Sequence, residues 1–165
     1  MVVLEKGKRA PGFSLPSDDA KKTFALEGLL DGKGAVLAFF KTECPTCQLE
    51  FPFVERMAKA LAGSGVFLVG VGQNTGKEIG AFRKTYGIHF PIATDLEPYR
   101  VSSAYGLTHV PTLFLVDPKG RILRTEVGFS KEGLEAFLRE ACALGEAKSA
   151  ALFRSSDNVP PMQPG

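Results

Sequence analysis

The run Ala35-Val36-Leu37-Ala38-Phe39-Phe40 narrows the accessible folds more than any other segment of this chain. Its six apolar residues do not alternate with polar ones, so it reads as a strand buried on both faces. Such a strand needs cover above and below, which argues for a parallel or mixed sheet between helical layers. Val66–Val71 and Thr112–Val116 repeat the pattern. Between the first two runs, Cys47, Phe51, Val54, Ala58 and Leu61 recur at alternating helical steps and predict a helix from about Cys44 to Leu61. Pro52 falls inside it and should kink it rather than stop it, because the apolar period continues beyond. A short helix is expected from Lys77 to Tyr86, a connector over Pro91–Asp95 and a helical turn over Tyr99–Tyr105. Asp117-Pro118-Lys119-Gly120 marks a tight turn into a strand over Arg121–Val127. Lys131 to Leu144 forms a last amphipathic helix. Residues 1–34, broken by Gly, Pro and charge, read as a hairpin-like extension ending at Asp31-Gly32-Lys33-Gly34. The order is β-α-β-α-β-β-α behind that hairpin: an α/β domain over residues 1–144 with a mixed sheet. Residues 145–165 end in a Pro-rich stretch and are expected to be a flexible or polyproline-like tail.

Composition excludes several classes of function. With 20 basic and 18 acidic residues the net charge is +2, which leaves no footprint for nucleic acid. The longest apolar run falls far short of the ~20 residues of a membrane span. Charge at Glu5 and Lys6 and then Pro11 leave no room for an apolar signal core. The chain is therefore expected to be soluble and cytoplasmic. A chain trimmed of an export signal or anchor reads the same way, so a periplasmic or other extracytoplasmic site is the alternative. Three cysteines are too few for a disulfide-stapled scaffold, and an odd count leaves one thiol outside any internal bridge.

Two of the three form Cys44-Pro45-Thr46-Cys47, at the start of the first long helix and just after the buried strand. C-x-x-C serves as half of a zinc site or as a redox pair. A structural zinc site needs four ligands, and Cys142, His89 and His109 are widely scattered along the chain. No metal set is therefore assigned. Unpaired N–H groups and the aligned peptide dipoles at a helix N-terminus stabilise a thiolate, so Cys44 should ionise below the ~8.5 of a free thiol. Pro45 suits the first turn, where a missing N–H costs little. Cys47 lies one turn deeper on the apolar stripe. An accessible, nucleophilic sulfur beside a shielded one is the asymmetry that dithiol–disulfide exchange requires.

The sequence resembles the thioredoxin superfamily, and within it the TlpA/ResA-like branch of the AhpC/TSA-Redoxin group. Ala10-Pro11-Gly12-Phe13-Ser14-Leu15 is similar to the entry strand of that group, and Glu50-Phe51-Pro52 to its C-x-x-C-x-x-E-x-P continuation. Tyr105 to Thr112, followed by Leu113–Val116, Asp117 and Gly120, resembles its cis-proline loop and hairpin. The resemblance implies a thioredoxin fold, Cys44 as attacking thiol, Cys47 as resolving thiol and Pro111 as a cis-proline facing them. It also implies that Val110 offers backbone bonds to a bound peptide beside Pro45 and Thr46, and that Glu50 moves protons to or from Cys47. The i+3 spacing agrees for Glu50; the alternative is a solvated surface carboxylate. The partners implied are a protein disulfide or dithiol and a reductase or oxidase that resets the pair, with no cofactor.

Two departures stand out. Glu43 replaces the aromatic residue that many relatives carry before the first cysteine, and its charge opposes thiolate formation. Ala38 stands where thioredoxin proper has a buried Asp, which puts more weight on Glu50. Cys142 is expected in the core, His89 in a structural role and His109 in a local loop bond. A thiol peroxidase is the first alternative function, but its P-x-x-x-T/S-x-x-C spacing fits neither cysteine. A copper-handling module is the second, although its relatives use C-x-x-x-C.

Overall fold

A computed structural model describes residues 2–165. The chain runs β1 (Ser14–Pro16), β2 (Thr23–Ala25), α1 (Leu26–Leu29), β3 (Gly34–Phe40), α2 (Pro45–Ala60), β4 (Val66–Gly72) and α3 (Gly76–Tyr86). It continues through β5 (Ile92–Thr94), α4 (Arg100–Ala104), β6 (Thr112–Val116), β7 (Ile122–Val127), β8 (Phe129–Ser130), α5 (Lys131–Leu144) and β9 (Met162–Gln163). The all-apolar β3 is buried at every position, at the centre of a five-stranded sheet ordered β5-β4-β3-β6-β7. β3, β4 and β5 are parallel; β6 is antiparallel to β3, and β7 to β6. β1 and β2 form the antiparallel N-terminal hairpin. The sheet is mixed, and it buries both faces of the unalternated apolar run at its centre.

Alternate residues of β3 feed two cores. Val36, Ala38 and Phe40 pack with Phe51 and Val54 of α2, Ile79 and Phe82 of α3, and Leu134 and Phe137 of α5. Ala35, Leu37 and Phe39 pack with Leu26 and Leu29 of α1, Val101 of α4 and Tyr105. Ring centroids of Phe40 lie 4.4 Å from Phe51 and 5.2 Å from Phe82. This aromatic wedge sits under the first half of α2, and each buried ring stabilises the fold by roughly 1.5–3 kcal/mol. It fixes the start of α2 against the end of β3. Among the described residues, no helix is long and apolar enough to cross a membrane.

Two expectations are corrected. Ile92–Thr94, read as a connector, is a buried edge strand that pairs in parallel with Gly70–Gly72. Three residues are too few to show a period, so its conformation is set by β4 rather than by its own pattern. The flexible tail expected over residues 145–165 is instead held along the domain. Leu152 is buried in the core beneath α2 and α5, and the Glu135 carboxylate accepts the N–H of Leu152 at 3.0 Å and of Phe153 at 2.8 Å. Phe153 packs on Phe53 with centroids 4.6 Å apart. Arg56 donates two bonds to Asp157, at 2.6 and 2.9 Å, and holds that carboxyl well below the usual range. β9 then pairs antiparallel with β8. The apolar residues that anchor this segment are too sparse to produce a periodic signal.

Leu152→Ala should therefore lower the unfolding free energy by about 2–4 kcal/mol, as truncating a buried leucine does. The denaturant midpoint should fall with little change in slope. An exposed, unattached residue would respond within about 0.5 kcal/mol.

Candidate dithiol site

Cys44 is the N-cap of α2 and Pro45 its first residue. The backbone at Cys44 is extended, and its sulfur accepts the Cys47 N–H at 3.2 Å. Sulfur thus takes the place usually held by a Ser, Thr or Asp oxygen at a helix start. The Cys44 thiol is pulled down to about 6. A bond from the Cys47 thiol is the main cause, and the N–H groups of Cys47 and Thr46 add to it. Partial burial and the Glu43 charge oppose it. Cys47 is fully buried. Burial pushes its thiol far up, and its bond to Cys44 and the charges of Cys44 and Glu50 push the same way. The sulfurs therefore differ as the sequence implied.

The register of β6 on β3 pairs Thr112 with Phe39, which brings Val110 and Pro111 beside the end of β3. The Val110–Pro111 peptide is cis. As a thiol, Cys44 donates to the Val110 carbonyl at 3.4 Å. Pro45 is exposed, whereas Thr46 is buried. The Thr46 hydroxyl donates to the Pro164 carbonyl at 2.6 Å and accepts the Gln163 side-chain amide at 2.9 Å.

Glu50 is wholly buried, and neither carboxylate oxygen has a hydrogen-bond partner. The solvated-surface alternative is thereby excluded. Burial raises its pKa well above the usual range, with further contributions from the negative charges of Glu126 and Cys44. Glu43 is the opposite case. It is exposed, and its carboxylate accepts bonds from Asn74 at 2.9 Å and Thr42 at 3.0 Å. The Asn74 bond leads in lowering its pKa.

Two residues of this site escaped the sequence reading. Asn74 fixes the loop before Cys44, because its side-chain oxygen also accepts the Thr42 N–H at 2.9 Å. Its signal was its place just past a buried strand, at the sheet end where Cys44 lies. Glu126, on β7 opposite Leu113, had no local signal; only strand register brings it into the field of Glu50. Cys142 is buried, and burial raises its thiol. His109 is exposed, its ring 3.1 Å from the Thr108 hydroxyl. His89 contributes its backbone N–H to Glu55 at 2.7 Å. Among the described residues, no group of three or more His, Cys, Asp or Glu is placed to share a metal ion.

A cysteine pair capping the helix after a central strand, with a cis-proline at the start of the neighbouring antiparallel strand, defines the thioredoxin-fold dithiol class. The thiol–disulfide oxidoreductase ResA of Bacillus subtilis (strain 168) is 32% identical over 132 residues, covering 79% of this chain and 72% of its own. A thioredoxin-family thiol:disulfide interchange protein from Chlorobium tepidum TLS superposes with a TM-score of 0.68 at 30% identity. That match covers 82% of this chain and 97% of the other. MTB DsbF, solved in mixed oxidised and reduced forms, gives 0.69 at 31% identity, covering 80% and 94%. The chain belongs to the AhpC/TSA family, which matches residues 6–125, and within it to the TlpA/ResA-like thiol–disulfide oxidoreductases. The thiol-peroxidase and copper-handling alternatives are not favoured by these relatives.

Replacing Glu43 by Gln removes a negative charge that opposes ionisation of Cys44. The pH midpoint of iodoacetamide alkylation should then fall below that of the wild type. An unchanged or higher midpoint would remove Glu43 from the electrostatics of the site.

Proposed function

We propose that the chain reduces disulfides in protein substrates through Cys44 and Cys47, with Glu50 as the proton carrier of the second step. The Cys44 thiolate attacks one sulfur of the substrate disulfide. A Cys44–substrate disulfide forms, and the other substrate sulfur leaves as a thiolate and takes a proton. Cys47 then gives its proton to the Glu50 carboxylate and attacks the Cys44 sulfur. The second substrate sulfur leaves and is protonated. Two electrons have moved from the cysteine pair to the substrate, and a dithiol reductant must return them.

The observation that carries the role of Glu50 is its buried carboxyl without a partner, in the field of both sulfurs. While Cys44 is a thiolate, its charge helps keep Glu50 protonated and Cys47 a thiol. Forming the mixed disulfide removes that charge. Glu50 then releases its resting proton to solvent more readily, which leaves the carboxylate that can take the proton of Cys47. The base becomes available when the resolving thiol has to lose its proton. Pro111 and the Val110 backbone, with Pro45 and Thr46, form the substrate wall beside Cys44.

The ionisation of Cys44 supports the reducing direction. Its value of about 6 lies nearer the ~7 of thioredoxin than the ~3.5 of the oxidant DsbA. A cytoplasmic location accords with that direction, since the cytosol holds thiols reduced. A redox titration of the pair should give a potential between about −270 and −180 mV, and one near −120 mV would instead mark an oxidant. Cys44→Ser should abolish reduction, whereas Cys47→Ser should accumulate a mixed disulfide visible by mass spectrometry. Sustained turnover by Cys47→Ser would overturn the division of roles. Glu50→Gln should slow release of the trapped substrate by about a hundredfold at neutral pH, the scale of lost general-base catalysis. It should also remove the associated ionisation from the pH profile; an unaltered profile would exclude Glu50.

A further inference from the structure

Residues 161–165 lie where the proposed substrate wall would receive a peptide. The Lys131 N–H donates to the Pro161 carbonyl at 2.9 Å. Met162 and Gln163 pair with Ser130 and Phe129 as an added strand. The Pro164 carbonyl takes the Thr46 hydroxyl, and the Gln163 side chain bonds the same oxygen of Thr46. Gly165 abuts the Val110 carbonyl so closely that a Cβ there would collide with it. That carbonyl is also the partner of the Cys44 sulfur. The turn between β7 and β8 is shaped around this segment. Gly128 has a positive φ of 74°, and a Cβ on it would stand 3.2 Å from the Gln163 carbonyl oxygen.

The approach to this position runs along one face of α2. Thr46, Phe53 and Arg56 recur at helical spacing and touch Pro164, Phe153 and Asp157 in turn. Ten residues of helix rise ~15 Å, while the seven steps from Asp157 to Pro164 reach ~23 Å when extended. The segment is therefore long enough to span the distance with slack to spare and puts no strain on its anchor.

We propose that the edge of β8, Thr46 and the Val110 backbone form a docking surface for an extended peptide, and that residues 161–165 are its intramolecular occupant. The partner this surface fits is an extended segment of a disulfide-bearing protein, held by backbone bonds to β8 and carried past Val110 toward Cys44. The chain's own segment has proline and glycine there and no cysteine, so it fills the surface without being turned over. A protein substrate must lift it. Apparent affinity for extended peptides is reduced by the fraction of molecules in which it is lifted, whereas a small disulfide reaches the partly exposed Cys44 without lifting it. This inference rests on the role of Val110 and Thr46 proposed above.

Gln163→Pro in the full chain tests it, since proline removes both the backbone and the side-chain donors of that residue. Cys44 is the only one of the three thiols that is not buried, so alkylation reports it selectively. Rates with iodoacetamide and with a maleimide carried on a ten-residue extended peptide should be compared in wild type and variant. The peptide-to-iodoacetamide rate ratio should rise about five- to thirtyfold, the factor that net loss of two hydrogen bonds brings. The second-order rate constant for reducing a peptide disulfide should rise in step, and that for a small disulfide should not. Gly165→Ala, which clashes with Val110, should act in the same direction. An unchanged alkylation ratio overturns the proposal, and a lower one shows that the segment extends the site instead of covering it. If the alkylation ratio rises but neither protein reduces either disulfide, the exchange reaction fails and the strap stands.

Discussion

The bond from the Cys47 N–H to the Cys44 sulfur is the interaction on which the rest of the site depends. A sulfur in the N-cap position gains from every unpaired N–H of the first turn, but only if that turn is fixed in space. The fixing comes from below. β3 is buried along its whole length, and Phe40 at its end is wedged against Phe51 and Phe82. Asn74 holds the intervening loop through Thr42. The chemistry of one sulfur thus rests on a strand whose sequence shows no chemistry at all.

The acidic residues around the pair divide by environment. Glu43 is exposed, hydrogen-bonded and ionised, and acts only by its charge on Cys44. Glu50 is buried without a partner and close enough to Glu126 and Cys44 to feel both charges. An unpaired carboxylate in such a place is costly, so the group holds its proton. That makes Glu50 responsive to any change of charge at Cys44. One residue opposes the resting thiolate by its charge, and in the proposed cycle the other responds to its disappearance.

The sequence made much of this fold legible because burial leaves a pattern. The apolar runs at Ala35–Phe40, Val66–Val71 and Thr112–Val116 became the central strands, and the stripe from Cys47 to Leu61 became the buried face of α2. The cysteine pair was legible because residue type and spacing define its chemistry. Features made by contact between distant segments were not legible. Ile92–Thr94 is a strand because β4 lies beside it. Glu126 enters the site through the pairing of β7 with β6. Leu152 and Phe153 are anchors only because Glu135 and Phe53 face them. A segment of small, polar and proline residues carries no periodic signal of where it docks.

The two demands on the first turn of α2 are compatible because they use different directions. The N–H groups of Thr46 and Cys47 point along the helix axis toward the Cys44 sulfur, where they favour the thiolate. The hydroxyl of Thr46 points sideways, to Pro164 and Gln163. Lifting residues 161–165 would free that hydroxyl without breaking a bond that holds the helix start. Ionisation of Cys44 and access to it are therefore set by separate contacts of adjacent atoms. Access can change while the reactivity of the exposed sulfur stays the same.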